Sequence, residues 1–213
     1  MIKNVAIIDY GLGNILSTQQ SFLKVANDNN IKANVIITNQ PRKITESTHI
    51  VLPGQGAFET CMKGLSSIPY MINELTKSVI KNKTPFLGIC IGMQLLANIS
   101  YENGKHKGLG WIDGQIKKLP TNNLKLPHMG WNEIELKKDC FLFSNIKNKS
   151  HVYFIHSYEF MTKEKDCVLA TTNYGNSIIA SVEKENIVGT QFHPEKSQKN
   201  GLIILENFLK WKI

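Results

Sequence analysis

Arginine is nearly missing from this chain: Arg42 stands alone among 25 Lys+Arg residues, which face 17 Asp+Glu for a formal charge of +8. Proteins that read bases and phosphates favour the planar donor fork of arginine. The lysines are scattered, with no dense block and no interleaved aromatics. A nucleic-acid role is therefore not expected, and the charge reads as a solvated lysine surface that can steer an anionic substrate or an acidic partner. No apolar run approaches the ~18 residues that cross a bilayer, so no membrane partner is expected. Residues 1–9 reach Asp9 where a secretory leader would still be apolar. Cys61, Cys90, Cys140 and Cys167 form no CxxC pair, which argues against zinc and thioredoxin-like chemistry. Free thiols in a reducing, cytoplasmic compartment are expected. Repeats, low-complexity tracts and linkers are also missing. The 213 residues can bury a core without staples, and a single domain over residues 1–213 is expected.

What is present is an alternation of short apolar runs with helical patterns. Residues 5–9, 35–37, 49–52 and 85–89 read as buried strands. Residues 15–27, 72–81 and 93–97 read as helices. This order implies βαβ units and a sheet covered on both faces. After residue 110 the pattern becomes short strands joined by turns, at 111–119, 131–136, 152–160, 168–172, 178–182 and 187–192, with a polar loop at 120–125. Residues 202–211 close the chain as an amphipathic helix.

Three windows carry chemistry. In Gly88-Ile89-Cys90-Ile91-Gly92 a strand ends just before a cysteine and a helix pattern begins just after it. A nucleophile on such a sharp strand-to-helix turn stands above the sheet edge, and its strained backbone needs small residues at minus two and plus two. A helix amino end aimed at the sulfur favours thiolate. In Gln191-Phe192-His193-Pro194-Glu195, residues i and i+2 of extended chain point the same way. Glu195 can then hold one nitrogen of the His193 ring and leave the other for a thiol. In Leu52-Pro53-Gly54-Gln55-Gly56, a glycine-rich turn after the third strand can present backbone N–H groups to a substrate oxygen. No Gly-Lys-Ser/Thr follows, so it is not a P-loop.

Together and in this order, these windows resemble the motifs of the class I glutamine amidotransferases. Asp9-Tyr10-Gly11-Leu12-Gly13-Asn14, Pro127-His128-Met129-Gly130-Trp131-Asn132, Phe154-Ile155-His156-Ser157-Tyr158 and Glu195-Lys196-Ser197 with Gly201 are similar to motifs of one branch, the glutaminase subunits of imidazole glycerol phosphate synthase. The likeness covers essentially the whole chain. It implies an α/β fold of three layers around a central mixed, largely parallel β-sheet. It implies hydrolysis of L-glutamine to glutamate and ammonia through a cysteine thioester, with no metal and no cofactor. On the matching positions, Cys90 would be the nucleophile, His193 the acid/base and Glu195 its orienter. The amides of Gln55 and Ile91 would form the oxyanion hole, and Gly54, Gln94, Glu102, His156, Ser157 and Tyr158 would contact substrate.

The resemblance also implies a partner, a (β/α)8-barrel cyclase that receives the ammonia for histidine biosynthesis. Asn14, Met129, Trp131 and Lys196 match positions at or near that interface. A glutaminase of this length is expected to depend on such a subunit. Gln55 departs from the family pattern, which usually has a small apolar residue between the two loop glycines. That bears on how easily the loop presents its amide. Glutaminases serving anthranilate, pyridoxal phosphate or guanylate synthesis lack the 127–132 motif. A paralogous subunit supplying ammonia for surface-sugar biosynthesis keeps it and remains an alternative. A cysteine peptidase or chaperone-like member of the broad fold, or a binding module without catalysis, fits the late His-Pro-Glu and the intact Cys90 less well.

Overall fold

The alternation read from the first half of the chain is realised as four parallel strands, joined by a fifth from residues 187–190, that share one edge for chemistry. The computed structural model describes residues 2–120 and 124–212. Residues 121–123 of the expected polar loop lie outside the described residues. The chain runs through β1 (Lys3–Ile8), α1 (Ile15–Asp28), β2 (Ala33–Thr38), α2 (Pro41–Thr45), β3 (His49–Leu52), α3 (Phe58–Ser67), α4 (Met71–Thr76), β4 (Phe86–Ile89) and α5 (Ile91–Gln94). It continues through β5 (Ile99–Ser100), β6 (His106–Lys107), β7 (Gln115–Lys118), β8 (His128–Leu136), β9 (Ser150–His156), β10 (Tyr158–Met161), β11 (Val168–Tyr174), β12 (Asn176–Lys184), β13 (Ile187–Thr190) and α6 (Gln198–Lys210).

The large sheet has the order β2-β1-β3-β4-β13-β12-β11-β8-β9. It is parallel from β2 to β13 and antiparallel from β13 outward. Every residue of β3, β4 and β13 is buried, as a strand covered on both faces requires. The helices form two groups, α1 with α6 and α2 and α3 with α4, and give the layered α/β architecture. A smaller sheet, β10-β7-β5-β6, stands apart.

Several elements differ from the periodicity reading, each for a visible reason. The helix expected over residues 93–97 ends at Gln94. The carbonyls of Leu95, Leu96 and Ala97 accept instead from the N–H groups of Leu109, Trp111 and Gly110, which halts the helical ladder. The run 152–160 is two strands: the chain leaves the large sheet after His156 and joins the small sheet at Tyr158, turning at Ser157. The helix read over 72–81 is α4 followed by a π-turn at Lys77–Lys81. Helix α3 was not read, although Phe58, Cys61 and Leu65 are buried at helical spacing. Gly64 masks it, and is required there because a Cβ would come within 2.8 Å of the Tyr10 carbonyl oxygen. The strand read over 111–119 is confined to β7, since Gly114 is bonded to Asn98 in a turn.

Leu52, Gly88 and Gly189 lie side by side in the register of β3, β4 and β13. The three chemistry-bearing windows therefore leave the sheet at one level, at the carboxyl ends of adjacent parallel strands, where open α/β sheets form their binding crevice. Gly92 is tightly packed: a Cβ there would overlap the Leu52 carbonyl oxygen. Gly92→Ala is expected to lower the unfolding free energy by about 3 kcal/mol, as overpacking against backbone does. Gly11→Ala, at φ +85° with open space around it, should cost only about 1–2 kcal/mol of backbone strain. Urea denaturation of the two variants checks the order.

Candidate active site

Cys90 adopts φ 55° and ψ −108°, a conformation that L-residues avoid. Its N–H donates to the Thr190 carbonyl (2.7 Å), which locks it to the end of β13. A Cβ on Gly88 would overlap the Gly92 backbone, so the expected small residues on both sides of the cysteine are sterically required. The sulfur is nearly buried and lies near the Ile155 carbonyl (3.8 Å) and the Gln191 amide nitrogen (3.8 Å). The helix after it is a single turn, so its amino end contributes less than the expected longer helix would.

His193 follows β13, extended at φ −99° and ψ 100°. The next residues do not stay extended: Pro194–Lys196 form a 3-10 turn. That turn still brings the Glu195 Oε1 to 2.7 Å from His193 Nδ1. The pair is fixed from outside. Ser197 Oγ donates to the His193 carbonyl (2.6 Å) and accepts from the Tyr153 N–H (3.0 Å), and Gly201 lets α6 close over the Pro194 carbonyl. Among the described residues His193 Nε2 has no hydrogen-bond partner, and the ring shares its cavity with the Cys90 sulfur. Burial pulls the His193 pKa down, but the Cys90 sulfur as thiolate and the Glu195 carboxylate outweigh it and raise it to about 10. The raised pKa favours the protonated form of the His193 ring.

The cavity has a volume of about 320 Å³ and is lined by Gln55, Gly56, Cys90, Ile91, Gln94, Glu102, Pro127, Ile155, His156, Ser157, Tyr158 and His193. It thus gathers most of the residues singled out from the sequence. Gly54 does not line it; it lies behind the loop against Tyr10 and Ile91. The Gln55 and Ile91 N–H groups donate to no acceptor among the described residues, and the Gln55 side chain is exposed. Gln94 donates to the Tyr158 carbonyl (3.1 Å) and to Gln191 Oε1 (2.9 Å), leaving its own buried Oε1 without a partner among the described residues. Glu102 accepts from the Phe58 N–H (2.6 Å) at the start of α3.

Sequence reasoning missed the support behind this wall. His156 Nδ1 donates to the Tyr158 carbonyl (2.8 Å), so its Nε2 accepts from His128 Nδ1 (3.0 Å), and His128 Nε2 accepts from Asn132 (3.1 Å). Each bond dictates the tautomer of the next ring. His128 is also stacked on Phe154 and Tyr174. Gln191 was likewise overlooked; a polar residue inside an apolar window was its signal. Of the expected partner-facing residues, Met129 (62% exposed) and Trp131 (46%) stand on one face of β8, with Trp131 edge-on to Tyr153. Asn14 is exposed and caps α1, and Lys196 is half-buried. Among the described residues no His, Cys, Asp and Glu group is arranged to hold a metal ion, and no helix is long and apolar enough to cross a membrane.

A thiol, an imidazole and a carboxylate above a parallel α/β sheet, facing unpaired backbone N–H groups, define a site fit for cysteine-dependent acyl transfer. Residues 6–211 match the family model of glutamine amidotransferase class-I. The chain is 51% identical over 208 residues to the imidazole glycerol phosphate synthase subunit HisH of Pelagibacter ubique, covering 97% of this chain and 99% of that one. It is 43% identical to the HisH subunit of Rhodospirillum rubrum, at 97% and 98% coverage. A solved glutamine amidotransferase from Thermotoga maritima shares the fold at a TM-score of 0.63 and 19% identity, covering 91% of this chain and 76% of that one. This chain belongs to the class I glutamine amidotransferases and, within them, to the HisH subunits of imidazole glycerol phosphate synthase.

Burial pushes His128 and His49 down to about 4 and His156 down to about 3. The unfolded chain, with ordinary histidines near 6.5, takes up protons first as pH falls. The stability that these neutral rings contribute is present above about pH 6.5 and is lost as pH drops towards 4. The unfolding free energy should therefore decline over that window. His128→Gln should make the decline shallower by one proton's uptake, measured by urea titration at several pH values.

Proposed function

We propose that this site hydrolyses L-glutamine to glutamate and ammonia. The observation that carries the reading is the buried His193–Glu195 pair at 2.7 Å, sharing one cavity with the elbow cysteine. The Cys90 thiolate attacks the side-chain amide carbon, and the oxyanion that forms is met by the Gln55 and Ile91 N–H groups. Protonated His193 gives its Nε2 proton to the departing nitrogen, the C–N bond breaks, and ammonia leaves a glutamyl thioester on Cys90. Water then attacks the thioester, its proton passing to His193, and glutamate departs as the thiolate is restored. Glu195 keeps the ring in place throughout.

Glutamine is held by its backbone groups. The Glu102 carboxylate takes the α-ammonium, the turn at His156, Ser157 and Tyr158 takes the α-carboxylate, and the unpaired Gln94 Oε1 accepts from the substrate. Gly54 acts indirectly, by letting the loop pack close to Tyr10. Residues 1–213 are read as one glutaminase domain of a cytoplasmic synthase. Its partner is a (β/α)8-barrel cyclase that takes up the ammonia for histidine biosynthesis. Exposed Met129 and Trp131 on β8 support a partner face there, with Asn14 and Lys196 at its margin.

Cys90→Ala in the two-subunit complex should abolish glutamine-dependent product formation, by more than a thousandfold, while activity with ammonium salts persists. Loss of both would overturn the transfer of ammonia between subunits. Trp131→Ala should weaken association with the barrel subunit by about tenfold or more, as loss of a buried aromatic anchor does, with the melting temperature of the isolated chain unchanged. Calorimetric titration of one subunit with the other measures it.

A further inference from the structure

Tyr10 and Cys61 are buried, polar, and unused by the chemistry above. Both reach the same loop. Tyr10 Oη donates to the Pro53 carbonyl (2.8 Å), and Cys61 Sγ donates to the Gln55 carbonyl (3.7 Å). Neither side chain lines the substrate cavity, so both carbonyl oxygens are drawn out of it. Burial pushes the Cys61 thiol up to about 11 and the Tyr10 hydroxyl well above its usual range, so both keep their protons and stay donors.

The geometry singles out the peptide between these two anchors. Peptides are planar and trans, so each N–H points opposite its own carbonyl. Fixing the Pro53–Gly54 and Gln55–Gly56 peptides fixes the direction of both flanks of the Gly54–Gln55 peptide. That central peptide has no hydrogen bond at its carbonyl or its N–H among the described residues. Its N–H is the one proposed to meet the oxyanion. The seat is tightly built: a Cβ on Gly54 would overlap the Tyr10 hydroxyl, and one on Gly13 would come 3.2 Å from the Gly54 Cα. A loop freed on either flank could present a carbonyl oxygen where negative charge develops.

We propose that Tyr10 and Cys61 are positioning residues that hold the oxyanion loop by its two flanking carbonyls and so aim the Gln55 N–H. The inference rests on the glutaminase reading. Because the oxyanion exists only in the transition state, the effect should fall on kcat and spare KM. In the two-subunit complex, Tyr10→Phe, which keeps the ring and removes the donor, should lower kcat for glutamine hydrolysis about tenfold or more, with KM within twofold. Cys61→Ala should lower kcat in the same way. Cys61→Ser, which keeps a donor, should recover most of it, a rescue that a purely packing role would not give. A kcat for Tyr10→Phe within twofold of the unaltered protein overturns the proposal, as does Cys61→Ser behaving like Cys61→Ala. The unaltered complex is the control: if it fails to hydrolyse glutamine, the functional reading falls, whereas a variant-specific null result sinks only the role of Tyr10 and Cys61.

Discussion

The left-handed backbone at Cys90 is the constraint on which the site depends. An L-residue held at φ 55° is strained by itself, and here the surroundings leave it no other course. The Cys90 N–H is bonded to β13, and Gly92 turns back against the carbonyl of Leu52 at the end of β3. The cysteine is thus fixed by both neighbours of its own strand, the same two strands whose loops carry the glycine-rich turn and the histidine. One steric knot sets the mutual position of all three windows. Packing α3 and the Tyr10 loop around it needs further glycines at 13, 54 and 64, each against a backbone or hydroxyl that a side chain would displace.

Around that knot the pKa values of three histidines are shifted in opposite directions. The His193 pKa is raised because the Cys90 sulfur and the Glu195 carboxylate lie beside it and outweigh the cost of burial. His128 and His156 have no such anions and stay neutral. Neutrality is what lets each ring donate from one nitrogen and accept at the other. Their bonds run in one direction, from Asn132 to the Tyr158 carbonyl, where Gln94 also donates. The turn at Ser157, where the chain passes between sheets, is thereby fixed by hydrogen bonds among neutral groups.

Much of this was legible in the residues. Parallel strands buried on both faces announce themselves as short apolar runs, and residues 49–52 matched β3 at both ends. The elbow was readable because only a glycine at minus two and plus two relieves its crowding. The pairing of His193 with Glu195 was also readable, although the expected extended geometry is a 3-10 turn that achieves the same contact. The early end of α5 was not readable, because carbonyls at residues 95–97 are claimed by residues 109–112 across the fold. Neither was the break at Ser157, since one apolar alternation serves two different sheets.

The sequence by itself determined the inventory: a cysteine on a strand-to-helix turn, a histidine two residues before a glutamate, and where glycine is obligatory, because these follow from side-chain identity and local backbone sterics. It determined the branch of the family as well, through motifs spread along the whole chain. Tertiary structure alone decided the environment of each group. It raised the pKa of His193 and lowered that of His156, exposed Trp131 while burying Tyr10, and placed Cys61 in the core directly behind the loop. Burial, field and hydrogen-bond direction arise from residues far apart in the chain, so no local pattern encodes them.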